Sequence, residues 1–191
     1  MGFTTIIVLV AMALLIGYGI VLYNNLVSLK HAVAQAWSNI GVLLKQRNAE
    51  LPKLVETCKQ YMAYEKDALE RIIRARSSAM NAQENGDVRG LGEAESEIRL
   101  GLGKIFALAE QYPELKANEA FRQLQARITQ LEEAISDRRE LYNEAVNQNN
   151  VRIEQFPDVI LARRFGFRPA ELLRFSDSET TDLNLKTLFT S

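Results

Sequence analysis

The first 29 residues carry no charged side chain; Lys30 is the first. The residue types that build chemical sites are also scarce along the rest of the chain. Among 191 residues there is one cysteine (Cys58) and one histidine (His31). One cysteine excludes an internal disulfide, and one of each excludes the usual Cys/His zinc cluster. No Walker-type loop, GxGxxG turn or GxSxG elbow occurs. A net charge of −1 removes any global pull toward nucleic acid. Carboxylates are plentiful, but their spacing is that of solvated helix faces rather than of a convergent pair in a cavity. The expectation is therefore no enzymatic reaction, no cofactor and no bound metal.

What fills the uncharged start is apolar. Phe3 to Tyr23 reads FTTIIVLVAMALLIGYGIVLY. As a helix this run spans about 31 Å, the hydrocarbon thickness of a bilayer, and a helix pairs its own backbone groups in lipid. A cleaved signal peptide fits less well. Residues 1–5 hold no Lys or Arg, and the apolar run continues past Val21 and Leu22 into Leu26 and Val27. The reading is a retained single-pass anchor. Tyr18 and Tyr23 suit an interface, and Ala13 with Gly17 forms a small-xxx-small pair through which two anchors can pack closely.

Beyond the anchor, strand patterning is nearly absent and apolar residues recur three and four apart. Leu26, Leu29, Val33, Trp37, Ile40 and Leu44 continue the anchor's helix without a breaker, which predicts one rod from the membrane outward. Leu51-Pro52 predicts a turn near residues 48–51. A second helix then presents Leu54, Cys58, Met62, Glu65, Leu69, Ile72 and Ala79, ending at Asn85-Gly86-Asp87 with Gly86 left-handed and Asp87 as a cap. A third runs from Leu91 to Tyr112, closed by Pro113. A fourth starts at the cap Asn118, places Phe121, Ile128, Leu131, Ile135, Arg138, Tyr142 and Asn149 in heptads, and closes at Phe156-Pro157. Stripes joined by short turns bury against one another. The predicted fold is all-α: an N-terminal transmembrane helix continuous with a long antiparallel four-helix bundle. A parallel coiled coil using the same seams is the rival, disfavoured by the short turns. The anchor would occupy residues 1–25, the bundle 26–156 and a C-terminal tail 157–191.

Arg47, Glu65, Glu95, Arg138 and Asn149 fall on predicted seams, with Arg76 beside one. Buried charges need partners. Arg47, Glu65, Arg76 and Arg138 are expected to form a structural polar core that fixes register, with a binding site as the alternative. The tail interleaves Arg163, Arg164, Phe165, Phe167, Arg168, Arg174 and Phe175. If four helices alternate in direction, this stretch returns to the membrane surface, where bases and aromatics bind anionic lipid. Packing on the chain's own helices or on a neighbouring copy are the alternatives. The final residues, SDSETTDLNLKTLFTS, are polar and expected to be mobile unless a partner orders them. Lys30, Lys45 and Arg47 follow the anchor and no base precedes it, so the bundle is placed in the cytoplasm, with a periplasmic or exterior bundle as the alternative.

Several ordered motifs resemble the LemA family. They are Tyr23-Asn24, Ala36-Trp37-Ser38, Arg47, Leu51-Pro52, Leu54-Val55, Tyr61, Glu65 and Ala75-Arg76. In the second half they are Tyr112-Pro113, Leu115 to Asn118, Phe121, Leu124, Arg138, Tyr142-Asn143, Val146, Asn150, Phe156-Pro157 and Phe165-Gly166-Phe167. Gly41, Lys53, Tyr64 and Asn149 depart from the pattern. The resemblance implies a bacterial inner-membrane protein with one span and a long helical bundle, and no established reaction. It also implies links to magnetosome membrane formation in some relatives and to genes for membrane proteases. The expected function is that of a membrane-anchored scaffold that self-associates as a homo-oligomer and organises or remodels the bilayer. The alternative is a regulatory adaptor for a membrane protease or transporter. Expected partners are the lipid bilayer, further copies of the chain and a membrane-protein client, with no nucleic acid.

Overall fold

The computed structural model describes residues 2–175; the polar stretch 176–191 lies outside the described residues. Six helices and no strand occur among the described residues: α1 (Gly2–Lys59), α2 (Lys66–Asn85), α3 (Val88–Ala109), α4 (Pro113–Ala117), α5 (Glu119–Glu154) and α6 (Asp158–Phe165). The expected continuity of anchor and first soluble helix is observed, because α1 is unbroken over 58 residues.

The turn expected at residues 48–51 does not form. Pro52 lies inside α1. The chain turns instead after Lys59, where Tyr61 and Met62 both donate to the Cys58 carbonyl at 3.0 and 2.8 Å. Neither glycine nor proline marks this turn. Met62 is fully buried within it, and Tyr61 accepts a bond from Asn118 Nδ2 at 3.1 Å. Tertiary packing sets this boundary against a local preference for helix.

Other boundaries follow local chemistry. Gly86 closes α2 with φ 68°, and Asp87 N–H bonds the Ala82 carbonyl at 2.9 Å, a six-residue closure of the Schellman type. Asp87 Oδ1 then accepts from Gly90 N–H at 2.9 Å, capping α3. Asn118 Oδ1 accepts from Phe121 N–H at 3.0 Å, capping α5 as expected.

The described residues form two compact units: 2–39 with 140–171, and 40–139 with 172–175. In the second, α1 and α5 run antiparallel, since Arg47 meets Glu132 while Tyr61 meets Asn118. Its core includes Ile40, Leu44, Leu54, Leu69, Ile72, Leu91, Ile98, Phe121 and Ile128, all buried. Gly101 lies against Ile72; a Cβ at Gly101 would stand 2.7 Å from Ile72 Cγ1, so α2 and α3 approach closely. In the first unit α1 and α5 are again antiparallel. Leu26 shares a core with Ile153 and Ala162, and Trp37 meets Tyr142 with ring centroids 5.3 Å apart.

Candidate functional site

The most polar part of the interior lies in the second unit. Arg47 is fully buried. Its Nη1 and Nη2 donate to Glu95 Oε2 and Oε1 at 2.6 and 2.7 Å, a bidentate pair. Nη1 also donates to Glu132 Oε1 at 2.9 Å. One guanidinium thus ties α1 to α3 and α5. Burial acts to lower the Arg47 pKa and is the largest single influence. The charges and hydrogen bonds of Glu95 and Glu132 together outweigh it, and the pKa stands above its ordinary value. Glu132 also faces Arg99 across 3.6 Å. This arrangement locks charge between three helices.

Arg76 performs a different task. Its Nε donates to the backbone carbonyl of Asn48 at 2.7 Å. In an unbroken helix that carbonyl would accept from the N–H of residue 52, four positions on. Residue 52 is proline and has no N–H. Arg76, reaching from α2, supplies the missing donor, and this explains how α1 runs through Pro52.

The structure separates the four residues expected to form one polar core. Arg47 and Arg76 both meet α1 around residues 47 and 48. Glu65 stands half-buried at the N-cap of α2, with no side-chain cap bond. Arg138 is exposed on α5, which corrects its expected place on the seam. The strict a/d count put it there, but the inward stripe of α5 is wider than a/d and takes in the position after d, where Glu132 and Arg139 lie. After Ile135 the inner face passes to Arg139 and then Tyr142. Arg139 is half-buried, with its guanidinium 4.0 Å from the Phe175 ring centroid. Glu132, one residue beyond Leu131, was missed for the same reason.

In the first unit the chain after α6 is held by neutral groups. Gly166 reverses the chain with φ 73°, and Phe167 N–H bonds the Ala162 carbonyl at 2.9 Å. Asn150 pairs with the Ala170 backbone twice: Nδ2 donates to its carbonyl and Oδ1 accepts from its N–H, both at 2.9 Å. Tyr142 donates its hydroxyl to the Glu171 carbonyl at 2.8 Å. Burial, and then the Glu171 charge, raise the Tyr142 pKa. Asp158, itself buried, accepts from Arg152 Nε at 2.9 Å. Of the basic-aromatic stretch, Phe167 joins the core around Leu26. Phe165 is largely exposed but sets its edge on Tyr23 at 4.9 Å. Arg163, Arg164 and Arg168 are exposed. Phe175, in the second unit, lies between Arg99 and Arg139, while Leu173 is buried where Gly92 admits the Arg174 carbonyl, with which a Cβ would collide.

On α1 the large apolar residues from Phe3 to Val21 are exposed, and burial begins at Leu22. This helix is long and apolar enough to cross a membrane, with mean hydropathy 2.7 over its best window. A Cβ at Gly17 would meet nothing outside its own stretch of helix within 4 Å, and Ala13 is exposed. Cys58 is buried, which pushes its thiol up to about 12 and suppresses the reactive thiolate. No group of three or more His, Cys, Asp or Glu able to hold a metal ion occurs among the described residues.

The LemA family model matches residues 36–186, most of the chain and both units. The chain belongs to the LemA family. Similar curated proteins include magnetosome protein MamQ 2 of Paramagnetospirillum magneticum, 24% identical over 190 residues, covering 87% of this chain and 70% of the relative. Magnetosome protein MamQ of Magnetospirillum gryphiswaldense is 22% identical over 172 residues, covering 78% and 63%. Protein LemA of Metamycoplasma hominis is 26% identical over 165 residues, covering 86% and 74%. Arg47, Pro52 and Arg76, which the geometry joins around one carbonyl, all fall within the LemA match.

Proposed function

We propose that this LemA-family protein is a membrane-anchored structural protein of a non-enzymatic kind, which self-associates in the membrane plane and organises or remodels the bilayer. The observation that carries the reading is α1, an exposed apolar face over residues 3–21 that continues as one helix into a packed interior. Such a helix transmits the anchor's orientation to the folded part, which lowers the ordering cost of lateral association. The exposed Ala13/Gly17 strip gives the anchors a close-packing face. The magnetosome relatives, proteins named for a membrane-bounded compartment, support a role in membrane organisation. Within residues 40–139, α1, α2, α3 and α5 act as the four antiparallel segments of a bundle, with the short α4 lying in the connection between α3 and α5. The bases following the anchor favour a cytoplasmic bundle at the bacterial inner membrane.

Crosslinking in native membranes, followed by mass measurement after mild detergent extraction, tests the reading. A homomer that falls apart in Ala13→Leu/Gly17→Leu supports the scaffold. A monomer that co-purifies in fixed ratio with another membrane protein would replace it by the adaptor. For topology, Cys58→Ala with Asn85→Cys gives a single exposed thiol. It should resist a membrane-impermeant reagent in intact cells; labelling there would move the bundle outside.

A further inference from the structure

In the unit of residues 2–39 and 140–171, α1 and the chain after α6 enclose a cleft of about 560 Å³. One wall is α1, contributing Tyr23, Lys30 and His31. The other is the end of α6 and the turn after it, contributing Phe165 and Arg168. Among the described residues no carboxylate lines the cleft. Its second wall is built and fixed. Gly166 turns the chain, Phe167 N–H is tied to the Ala162 carbonyl, and the Asn150 amide clamps Ala170 from both sides.

The position of the cleft along α1 gives it a meaning. The exposed apolar face ends at Val21, and Tyr23 already touches Phe165 and Phe167. Residues 3–21 span about 28 Å as a helix, close to the roughly 30 Å of a hydrocarbon core. Lys30 follows Val21 by about 13 Å along the axis. Helical side chains slant toward the N-terminus, so the Lys30 stem leans back toward the bilayer and its ammonium reaches the headgroup layer. The cleft therefore combines aromatic edges on the lipid side with two basic side chains and a histidine.

We propose that this cleft binds the headgroup of an anionic phospholipid. The phosphate sits between the Lys30 ammonium and the Arg168 guanidinium, whose paired N–H groups match phosphate oxygens. The His31 ring provides a further polar contact, and the Tyr23 and Phe165 rings meet the glycerol and the first methylenes. The site rests on the reading of α1 as a membrane anchor. Two cations with no opposing carboxylate among the described lining residues select an anionic headgroup over a zwitterionic one.

The test uses the full chain in mild detergent, incubated with equimolar phosphatidylglycerol and phosphatidylcholine, with retained lipid counted by native mass spectrometry. The expected result is a preference for phosphatidylglycerol of at least about tenfold, the scale set by two interfacial cations. Lys30→Gln/Arg168→Gln should bring the preference close to one. Both side chains are exposed, and circular dichroism should show unchanged helicity. Lys104→Gln/Arg127→Gln removes the same charge from exposed positions outside the cleft and should leave the preference intact. Equal retention of the two lipids by the wild-type chain, or equal loss in both double variants, overturns the site. Flotation with reconstituted vesicles separates this from failure of the anchor. A chain that floats but retains both lipids equally overturns the site alone; a chain that does not float overturns anchor and site together.

Discussion

The two units of the chain solve the same problem, holding long parts together, with opposite chemistry. In the unit of residues 40–139, charge does it: Arg47, Glu95 and Glu132 pair side chains across three helices. In the unit of residues 2–39 and 140–171, neutral groups do it: Asn150 and Tyr142 bond backbone atoms of Ala170 and Glu171. Arg152–Asp158 is an ion pair there, but its arginine is more than a third exposed. The difference follows from what each region leaves unsatisfied. Regular helices with repeating apolar faces can slide by a turn, and a buried charge with only one matching partner set penalises the slip. Ala170 and Glu171 instead lie outside any helix, so their backbone groups need partners from elsewhere, and a side-chain amide supplies both a donor and an acceptor, as a neighbouring strand would.

The largest effect should come from breaking the charge layer. Arg47→Met leaves two carboxylates at the layer without their shared counter-ion, and should cost about 3–5 kcal/mol. Denaturant unfolding of the full chain in detergent measures it. Arg47→Met/Glu95→Met/Glu132→Met should recover most of that loss, because matched apolar groups remove the desolvation cost along with the attraction. Arg99, the other cation at Glu132, is 35% exposed and remains solvated. A single variant as stable as the wild type would mean the layer carries no stability.

A smaller effect, confined to the other unit, should follow from Asn150→Ala. It strips two bonds from the Ala170 backbone, at a cost of about 2 kcal/mol. The sharper readout is hydrogen exchange at the Ala170 amide, which should lose protection in Asn150→Ala. Under conditions where Arg47→Met remains folded, that amide should stay protected. If both variants expose Ala170 equally, the contrast between a charge-held and an amide-held region fails.

How much of this was legible in the sequence depends on how local the cause is. Gly86, Asp87 and Asn118 act within a few residues of themselves, and the turn and caps they form could be read directly. The apolar run and its continuity into the next helix were equally plain, since no breaker stands between them. Arg47 was recognisable as a charge on an apolar stripe, and so was Glu95. Glu132 was not, because an a/d count omits the position after d that the inner face of α5 also uses, and the same omission put Arg138 where Arg139 lies. The turn at Gln60–Glu65 left no local mark, its cause being the burial of Met62 and a bond from Asn118. The cleft beside Tyr23 was out of reach for a related reason: its walls come from residues more than a hundred positions apart in the chain.

Pro52 is the most instructive misreading, and it gives the smallest effect with the cleanest test. Proline signalled a turn because it removes an N–H and crowds the carbonyl four residues back. What the local view omits is a donor from elsewhere, and Arg76 is 28 positions away from Asn48 in sequence. Arg76→Met should therefore cost about 1–2 kcal/mol, the range for a carbonyl left without its charged donor. Pro52→Ala alone should be nearly neutral: it restores an N–H at position 52 for the Asn48 carbonyl, while the unfolded chain gains freedom. In the Pro52→Ala background the cost of Arg76→Met should fall below about 0.5 kcal/mol, because the carbonyl no longer depends on it. The double-mutant cycle isolates this coupling from whatever else each substitution does. Equal costs in both backgrounds would show that Arg76 is an ordinary interhelical contact, and that α1 passes through Pro52 for some other reason.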